Sequence, residues 1–560
     1  VSITPVRWTV GISIAIALTI IALPPLTWHP LTVVGLASQR DLTRVSGVVH
    51  VHTSLSDGRG TPESVIDAAK AAGIDFVVIT DHNEFPAKRL EGYAGRVLVI
   101  VGTEISTRSG HILAFGLPEP TFRFSDDASE VLDDIRYLGG VAVIAHPDNR
   151  RQDFRWTQWD APGPWGIEIL NGDTEWRSMG WVGTARLLAA YPLNPTYALL
   201  RALGRPDSTL DRWDRLSSRR NTAIVAGADA HGFPSYESLF GLAQNHVLLD
   251  RAPSGHAVVD SSAIVAALQR GRAYVGIDGL APTGGFTFVA EQGAMRWTMG
   301  DVVPATPRPL LRAGGLLPEG ARVFLFRDGR PLRDAPGQLE WRDAAAGVYR
   351  VEVRLPGWDV PWILSNPIYV FDSAEREARR TRESAPTSVV PVGEILENFE
   401  GDSSFEAVSD DSTDLDGNII VPQSGRDGGS AARLRFRLGT PTASTPSPFA
   451  ALVSLRDRDL SRHRGLVLSI KGDRPRRVWV QVRDQNPNSE GGTEWWYASV
   501  RTTADWERVA VPFERFRSRD ARTDGRLNLE STRGVLFIVD IGAMAPGTEA
   551  AIWIDDVGLY

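Results

Sequence analysis

Residues 48–58 read VVHVHTSLSDG: a short apolar, β-branched run that ends in His50 and His52 and then in Asp57 on a loop closed by Gly58. Neutral imidazoles and carboxylates are the side chains that hold zinc, manganese or iron. An apolar run followed at once by such a residue describes a buried strand that presents a ligand at its C-terminal tip. In barrel enzymes the catalytic groups gather there. Four further segments repeat the pattern: VVITDHNE (Asp81, His82), GTEISTRSGHILAFG (Glu104, His111), VAVIAHPDN (His146) and VAGADAHG (Asp229, His231). Together the five hold six of the chain's ten histidines. On a regular strand residues two apart share a face, so His50 and His52 are expected to reach one ion. Glu104 has two carboxylate oxygens and is placed to bridge two ions. The set exceeds what one tetrahedral ion needs, so two or three divalent ions (Zn, Mn or Fe) are expected in a multinuclear hydrolase site.

The bulk composition bounds the rest. A chain of 560 residues is too long for one core and implies about three or four domains. A net charge of −8 gives no footprint for nucleic acid, which is not expected as a partner. The chain has no cysteine, which excludes disulfides, thiolate zinc sites and cysteine nucleophiles. Trp8 to Gln39 carries no formal charge, and residues 9–23 are strongly apolar and end at Pro24-Pro25. This predicts an N-terminal transmembrane helix. An uncleaved membrane anchor with an extracytoplasmic body is expected; the alternative is a secreted protein, cleaved near Gly35-Leu36-Ala37.

Alternating β-branched runs and helical stretches over residues 46–279 predict an α/β unit with a barrel-like parallel sheet. Residues 174–218 break that rhythm and read either as a helical insertion packed on the barrel or as a substrate lid or membrane-facing flap. Residues 280–371 change to short β runs, with Asp328-Gly329 as a hairpin signal, and suggest an Ig-like β-sandwich. Residues 372–393 read as a short helix and linker. Residues 394–560 read as a jelly-roll β-sandwich. Its Trp479, Trp495, Trp496, Tyr497 and Trp506 suit either a platform for a carbohydrate ring or the sandwich core.

The five motifs, in this order, resemble the PHP (polymerase and histidinol phosphatase) metallohydrolase superfamily over residues 46–279. The resemblance implies a distorted (β/α)7 barrel with up to three metals at its C-terminal mouth. It assigns nine ligands: His50, His52, Asp57, His82, Glu104, His111, His146, Asp229 and His231. One ion would take His50, His52, Glu104 and Asp229; a second would share Glu104 and take His111 and His146; a third would use Asp57, His82 and His231. A bridging hydroxide would attack phosphorus or a carbonyl carbon. Asp81, Asn83 and Asn149 are candidates for orienting ligands or substrate, and Arg108 for stabilising phosphate charge. The short Glu104–His111 interval, the GHIL-FG context and the trailing SNPIYV resemble the carbaryl-hydrolase-like (CehA/McbA-like) branch. The expected function is therefore a metal-dependent phosphoesterase acting on a small-molecule or glycan-linked ester. The alternatives are a carboxyl ester, carbamate or amide hydrolase, and a surface-anchored glycan-binding protein whose barrel is scaffolding. Cations lining the pocket favour phosphate; an apolar wall favours an aryl ester.

Overall fold

The computed structural model describes residues 23–35, 42–120, 124–161, 165–177, 179–384, 391–416, 419–518, 520 and 522–560. The described chain divides into two compact units, one within residues 23–119 and 125–384, the other within residues 120–124 and 391–560. Most of the predicted transmembrane helix lies outside the described residues. Among the described residues no helix is long and apolar enough to cross a membrane.

The first unit is built on a closed barrel. Its opening strand, Thr43–Val51, pairs in parallel with Phe76–Ile79 on one side and Ile224–Ala230 on the other. Phe76–Ile79 continues to Val97–Val101, and Ile224–Ala230 continues through Gly166–Asn171 to Val141–Ile144, all in parallel. The arc between is antiparallel: Thr103–Thr107 and Gly110–Phe115 form a hairpin whose second strand pairs with Val141–Ile144. A bridge between His82 and Glu104 links this arc to the parallel strands. The barrel is thus not wholly parallel; a hairpin replaces one crossover helix. The parallel strands are buried along their length, as near-continuous Val/Ile runs require when both faces are covered. Helices Pro62–Ala72, Ala128–Tyr137 and Ala257–Arg270 follow their strands. The first begins with Thr61 as N-cap and Pro62 in its first turn, and ends on left-handed Gly73.

The insertion folds as helices Gly172–Arg177, Trp181–Ala190, Pro195–Leu200 and Asp207–Ser217. The last of these is fixed in place. Trp213 is fully buried and donates from Nε1 to the Thr222 carbonyl. Asp214 accepts a two-pronged bond from Arg350 at 2.7 and 2.8 Å. Arg350 in turn reaches Glu352, a buried carboxylate that also accepts from Arg205 and Arg354. Residues 205–217 are therefore clamped to the β structure that follows the barrel and do not form a lid. That β structure holds one sheet of Phe286–Gln292, Met295–Thr298, Leu310–Gly315 and Leu339–Trp341, and strands of a second sheet. The predicted Asp328-Gly329 hairpin forms with both residues at positive φ, 51° and 75°, the geometry that a tight two-residue turn demands. The second sheet is continuous with the barrel, because Ile363–Ser365 pairs with Ala273–Gly276. The boundary expected at residue 279 is consequently not a structural break.

The second unit is a sandwich of two sheets. One has Ala431–Arg437, Glu549–Leu559, Gly465–Gly472 and Glu507–Pro512 as neighbours; the other has Phe449–Ser454, Thr532–Asp540, Arg477–Gln485 and Thr493–Arg501. Leu434, Leu468, Val480, Trp496 and Phe537 meet in its core. The five aromatics read as a platform therefore separate. Trp496 is core. Trp506 stands with Trp553 around Lys471, on the sheet opposite Trp479, Trp495 and Tyr497. Of these three, Trp495 is well exposed and Trp479 is buried.

Candidate metal centre

All nine expected ligands converge at the C-terminal mouth of the barrel, in three overlapping groups whose ligand atoms lie within 4.8 Å of one another. The groups are His50–His52–Glu104–Asp229, Glu104–His111–His146, and His52–Asp57–His82–His231. His52 belongs to two groups: Nε2 lies 3.1 Å from Glu104, and Nδ1 lies 3.4 Å from Asp57.

The strand tips reach this point by local irregularity. Against Phe76–Ile79 the opening strand carries one extra residue between Val48 and Val51, and against the opening strand Ile224–Ala230 carries one extra between Gly227 and Ala230, so the backbone bulges at His50 and again at Asp229. His50, His146 and Asp229 all have positive φ, at 66°, 28° and 48°. Such conformations are costly for residues with a Cβ and cluster at functional sites. His50 and His52 therefore do not converge by simple alternation along a flat strand. The bulge re-aims the first of them.

Glu104 sits at the centre, almost completely buried. Oε2 lies 3.1 Å from both His50 Nε2 and His52 Nε2. Oε1 lies 2.8 Å from His111 Nδ1 and 2.9 Å from His146 Nε2. Each oxygen thus serves its own pair of imidazoles. Glu104 and His111 meet because they are diagonal neighbours on one face of the hairpin, His111 standing opposite Ser106. The electrostatics are those of a cation site. Burial works against the charge of Glu104 and Asp229, yet His50 and the other imidazoles hold both carboxyls well below their usual range. Burial likewise opposes protonation of His50 and His52, but the surrounding carboxylates outweigh it and push His52 up to about 9. The buried nitrogens His52 Nδ1 and Nε2, His82 Nδ1 and His146 Nδ1 make no well-aligned hydrogen bond among the described residues, although His52 Nε2 stands 3.1 Å from Glu104. Imidazole nitrogens so placed beside carboxylate oxygens are a donor set that divalent ions fit.

Of the remaining candidates, Asp81 and Asn83 brace the ligand-bearing segments, Arg108 stands outside the cleft and Asn149 lines it. Asp81 is buried and accepts from Thr53 N, Thr53 Oγ1 and Ser56 Oγ, which shapes the loop that carries Asp57. Asn83 accepts from the Ser106 amide. Arg108 does not line the cleft: it occupies the hairpin turn and pairs with Asp126 at 3.3 Å. Asn149 does line the cleft and donates to Thr174 Oγ1.

Glu168 was not anticipated. It is buried, accepts from His50 Nδ1 at 2.5 Å and from the His146 amide at 2.6 Å, and bonds Asn171 at 2.9 Å. Its oxygen fills the space that a Cβ on Gly227 would occupy, only 1.6 Å away. The available signal was a lone carboxylate inside the apolar strand GIEILN. Also unanticipated is the wall of the cleft, a space of about 640 Å³, which carries Arg59, Arg150, Arg151 and Arg177 with Phe154, Trp176 and Phe233. Arg151 stacks on Phe154 at 3.9 Å and Arg177 on Trp176 at 4.6 Å. Asp173 lines the cleft too, and burial with the nearby Asp229 charge raises its pKa.

Residues 49–147, which carry seven of the nine ligands, match the PHP domain family model. This chain carries a PHP domain. Over 114 residues it is 32% identical to an uncharacterised protein of Methanocaldococcus jannaschii, an overlap of 18% of this chain and 66% of that relative. Among solved structures, a two-domain Bacteroides vulgatus protein containing a predicted PHP-like metal-dependent phosphoesterase overlaps 60% of this chain and 99% of its own. It is 15% identical, with a TM-score of 0.32. The family 11 carbohydrate-binding module of Clostridium thermocellum, in complex with a mixed-linked tetrasaccharide, overlaps 30% of this chain and 96% of its own. It is 22% identical, with a TM-score of 0.25.

Proposed function

We propose that the PHP domain is a multinuclear metal-dependent phosphoesterase. The division of Glu104's two oxygens between two pairs of imidazoles carries this reading. His50, His52, Glu104 and Asp229 would hold one ion, Glu104, His111 and His146 a second, and Asp57, His82 and His231, with His52 alongside, a third. Ions so held supply Lewis-acid polarisation of an ester oxygen and acidify water at neutral pH. The chain's own residues supply the rest. Glu168 fixes the ring of His50, Asp81 fixes the Asp57 loop, and Asn149 faces the substrate space. Arg59, Arg150, Arg151 and Arg177 favour an anionic phosphoryl group.

The same cleft presents Phe154, Trp176 and Phe233. These favour a substrate with an aromatic or apolar group and support a second reading, ester or carbamate hydrolysis of the carbaryl-hydrolase type. For the second unit, the exposed Trp495 and the half-buried Tyr497, on the outer face of one sheet, support an accessory carbohydrate-binding role. Membrane anchorage through residues 9–23, with an extracytoplasmic body, completes the proposal.

The test is metal analysis of the full chain together with turnover of bis(p-nitrophenyl) phosphate, p-nitrophenyl phosphate and a naphthyl carbamate. Two or three ions and phosphoester turnover that fails in Glu104→Gln are expected. Carbamate turnover alone would replace the first reading by the second. A folded protein that takes up no divalent ion would overturn both.

A further inference from the structure

Exposed apolar side chains gather beside the cleft, which Phe233 lines. Helix Trp181–Ala190 buries Leu187 and Ala190 but leaves Trp181 84% and Leu188 55% exposed. A helix that is apolar on its outer face as well as its inner one needs a second apolar environment. Three contacts tie this helix to its surroundings. Tyr191, at its C-terminus, packs 6.3 Å from Phe233, which is itself half exposed and lines the cleft. Asn194 donates to the carbonyls of Pro25 and Trp28. Trp28 packs 5.8 Å from Tyr197. Residues 23–28 therefore adjoin the same surface, and Leu23 and Leu26 add exposures of 54% and 59%.

The charges are one-sided. Residues 179–200 contain a single formally charged side chain, Arg186, and residues 23–35 contain none. In the sequence, the apolar, uncharged run of residues 9–22 immediately precedes Leu23. Arg59 over Phe233 and Arg201 over Trp358, which packs on Trp28, add further cations at the edges of this surface. Exposed Trp and Leu in segments without a carboxylate, bordered by Arg, are the composition of a face that lies in the headgroup boundary of a bilayer. A protein partner would be met by a polar, hydrogen-bonding rim, of which these nearly uncharged segments offer little.

We propose that helix Trp181–Ala190, with residues 23–28 and Phe233, forms a face that docks on a lipid bilayer and holds the mouth of the cleft at the membrane surface. The proposal concerns the face and does not depend on which ester is cleaved.

The absence of cysteine makes a direct test simple. The full chain bearing Leu188→Cys is labelled with an environment-sensitive dye and reconstituted in vesicles of phosphatidylcholine and phosphatidylglycerol. Met295→Cys, exposed on a β-strand after the barrel, is the control. The dye at position 188 is expected to shift to the blue and to be quenched by lipid-borne spin labels, with little effect of iodide. The dye at position 295 should show the reverse. If iodide reaches position 188 as readily as 295, the face stays in water and the proposal fails. Shielding from both quenchers would also overturn it, because protein would then cover the face. Trp181→Ser, measured with the same label, should reduce the lipid quenching. Turnover of a soluble phosphodiester by the same labelled proteins reads the chemistry separately, so either result can fail without the other.

Discussion

Glu168→Gln tests how the centre is held together. Three donors converge on the Glu168 carboxylate: His50 Nδ1 on Oε1, and the His146 amide and Asn171 Nδ2 on Oε2. A carboxylate accepts all three. It thereby keeps the proton of His50 on Nδ1 and leaves Nε2, the atom facing Glu104 and Asp229, free to bind an ion. Glutamine has the same shape but one acceptor oxygen. With that oxygen kept on the side of two donors, the amide NH2 faces His50 Nδ1. The imidazole must then turn over its tautomer and put its proton on Nε2. Replacing such an outer partner of a ligand weakens a metal by about 10–100-fold, or about 1.4–2.7 kcal/mol. Loss of a buried charge-assisted hydrogen bond removes about 1.5–3 kcal/mol of stability in addition. The assay is calorimetric titration of the metal-free protein with Zn or Mn, alongside thermal unfolding. The expected result is weakened binding of the ion at His50, with the ion at His111 and His146 less affected. Unchanged affinity in a variant that is less stable would refute the tautomer argument and leave Glu168 a purely structural residue.

Gly227→Ala should reproduce and exceed that defect, because its Cβ would displace the Glu168 carboxylate; a loss of roughly 2–4 kcal/mol is expected in chemical denaturation, and a silent substitution would show the contact to be dispensable. Metal removal should lower the first unit's melting transition by about 2.7 kcal/mol per ion at a hundredfold excess over Kd. The sandwich transition should stay in place, and a chelator that moves neither or both would contradict the site's location. Glu352 gives a pH dependence. Burial would raise its pKa, but Arg205 and Arg350 outweigh that and hold it at about 2 against an ordinary 4.5. Its stabilising effect is therefore complete above about 4.5 and lost as pH falls toward about 2, worth about 3 kcal/mol at most. Unfolding midpoints across that range should fall more steeply in the parent than in Glu352→Gln, and parallel slopes would count against the assignment. Arg151→Ala should raise KM for a phosphodiester several-fold with a smaller effect on kcat, and the opposite split would place Arg151 in the chemical step.

The ligands were legible because histidine is scarce here and because core packing alone seldom ends an apolar run in His. His50, His82, His146 and Asp229 all stand at or just beyond strand ends. What the sequence hid was geometry that breaks the regular period. Alternation along a flat strand placed His50 and His52 together for the wrong reason; a bulge and a left-handed backbone achieve it. Glu168 passed as one residue of a strand because, Asn171 apart, its partners lie on other elements, His50 118 residues away in sequence. Arg108 misled by proximity: it lies between Glu104 and His111 in the chain, but a two-residue hairpin turn faces away from the strands' inner face. The aromatic cluster of the sandwich divides between the two roles read for it, since Trp495 and Trp496 are neighbours in sequence and must point to opposite faces of the sheet. The sheet shared by the barrel and the β structure after it was not visible either, because composition shifts there while hydrogen bonding continues.

The hairpin of Thr103–Thr107 and Gly110–Phe115 has a consequence for how this chain can vary. The other ligands come from four separate strand ends, so the loops between those ends are free to lengthen. Glu104 and His111 instead sit on two arms of one hairpin, and the turn between them acts as a ruler. Adding or deleting one residue beside Arg108 would change which face His111 presents and send it away from Glu104. Insertions that enlarge the substrate cleft can therefore accumulate in the loop after His146 or among the helices after Asn171. The interval from Glu104 to His111 has to keep its length.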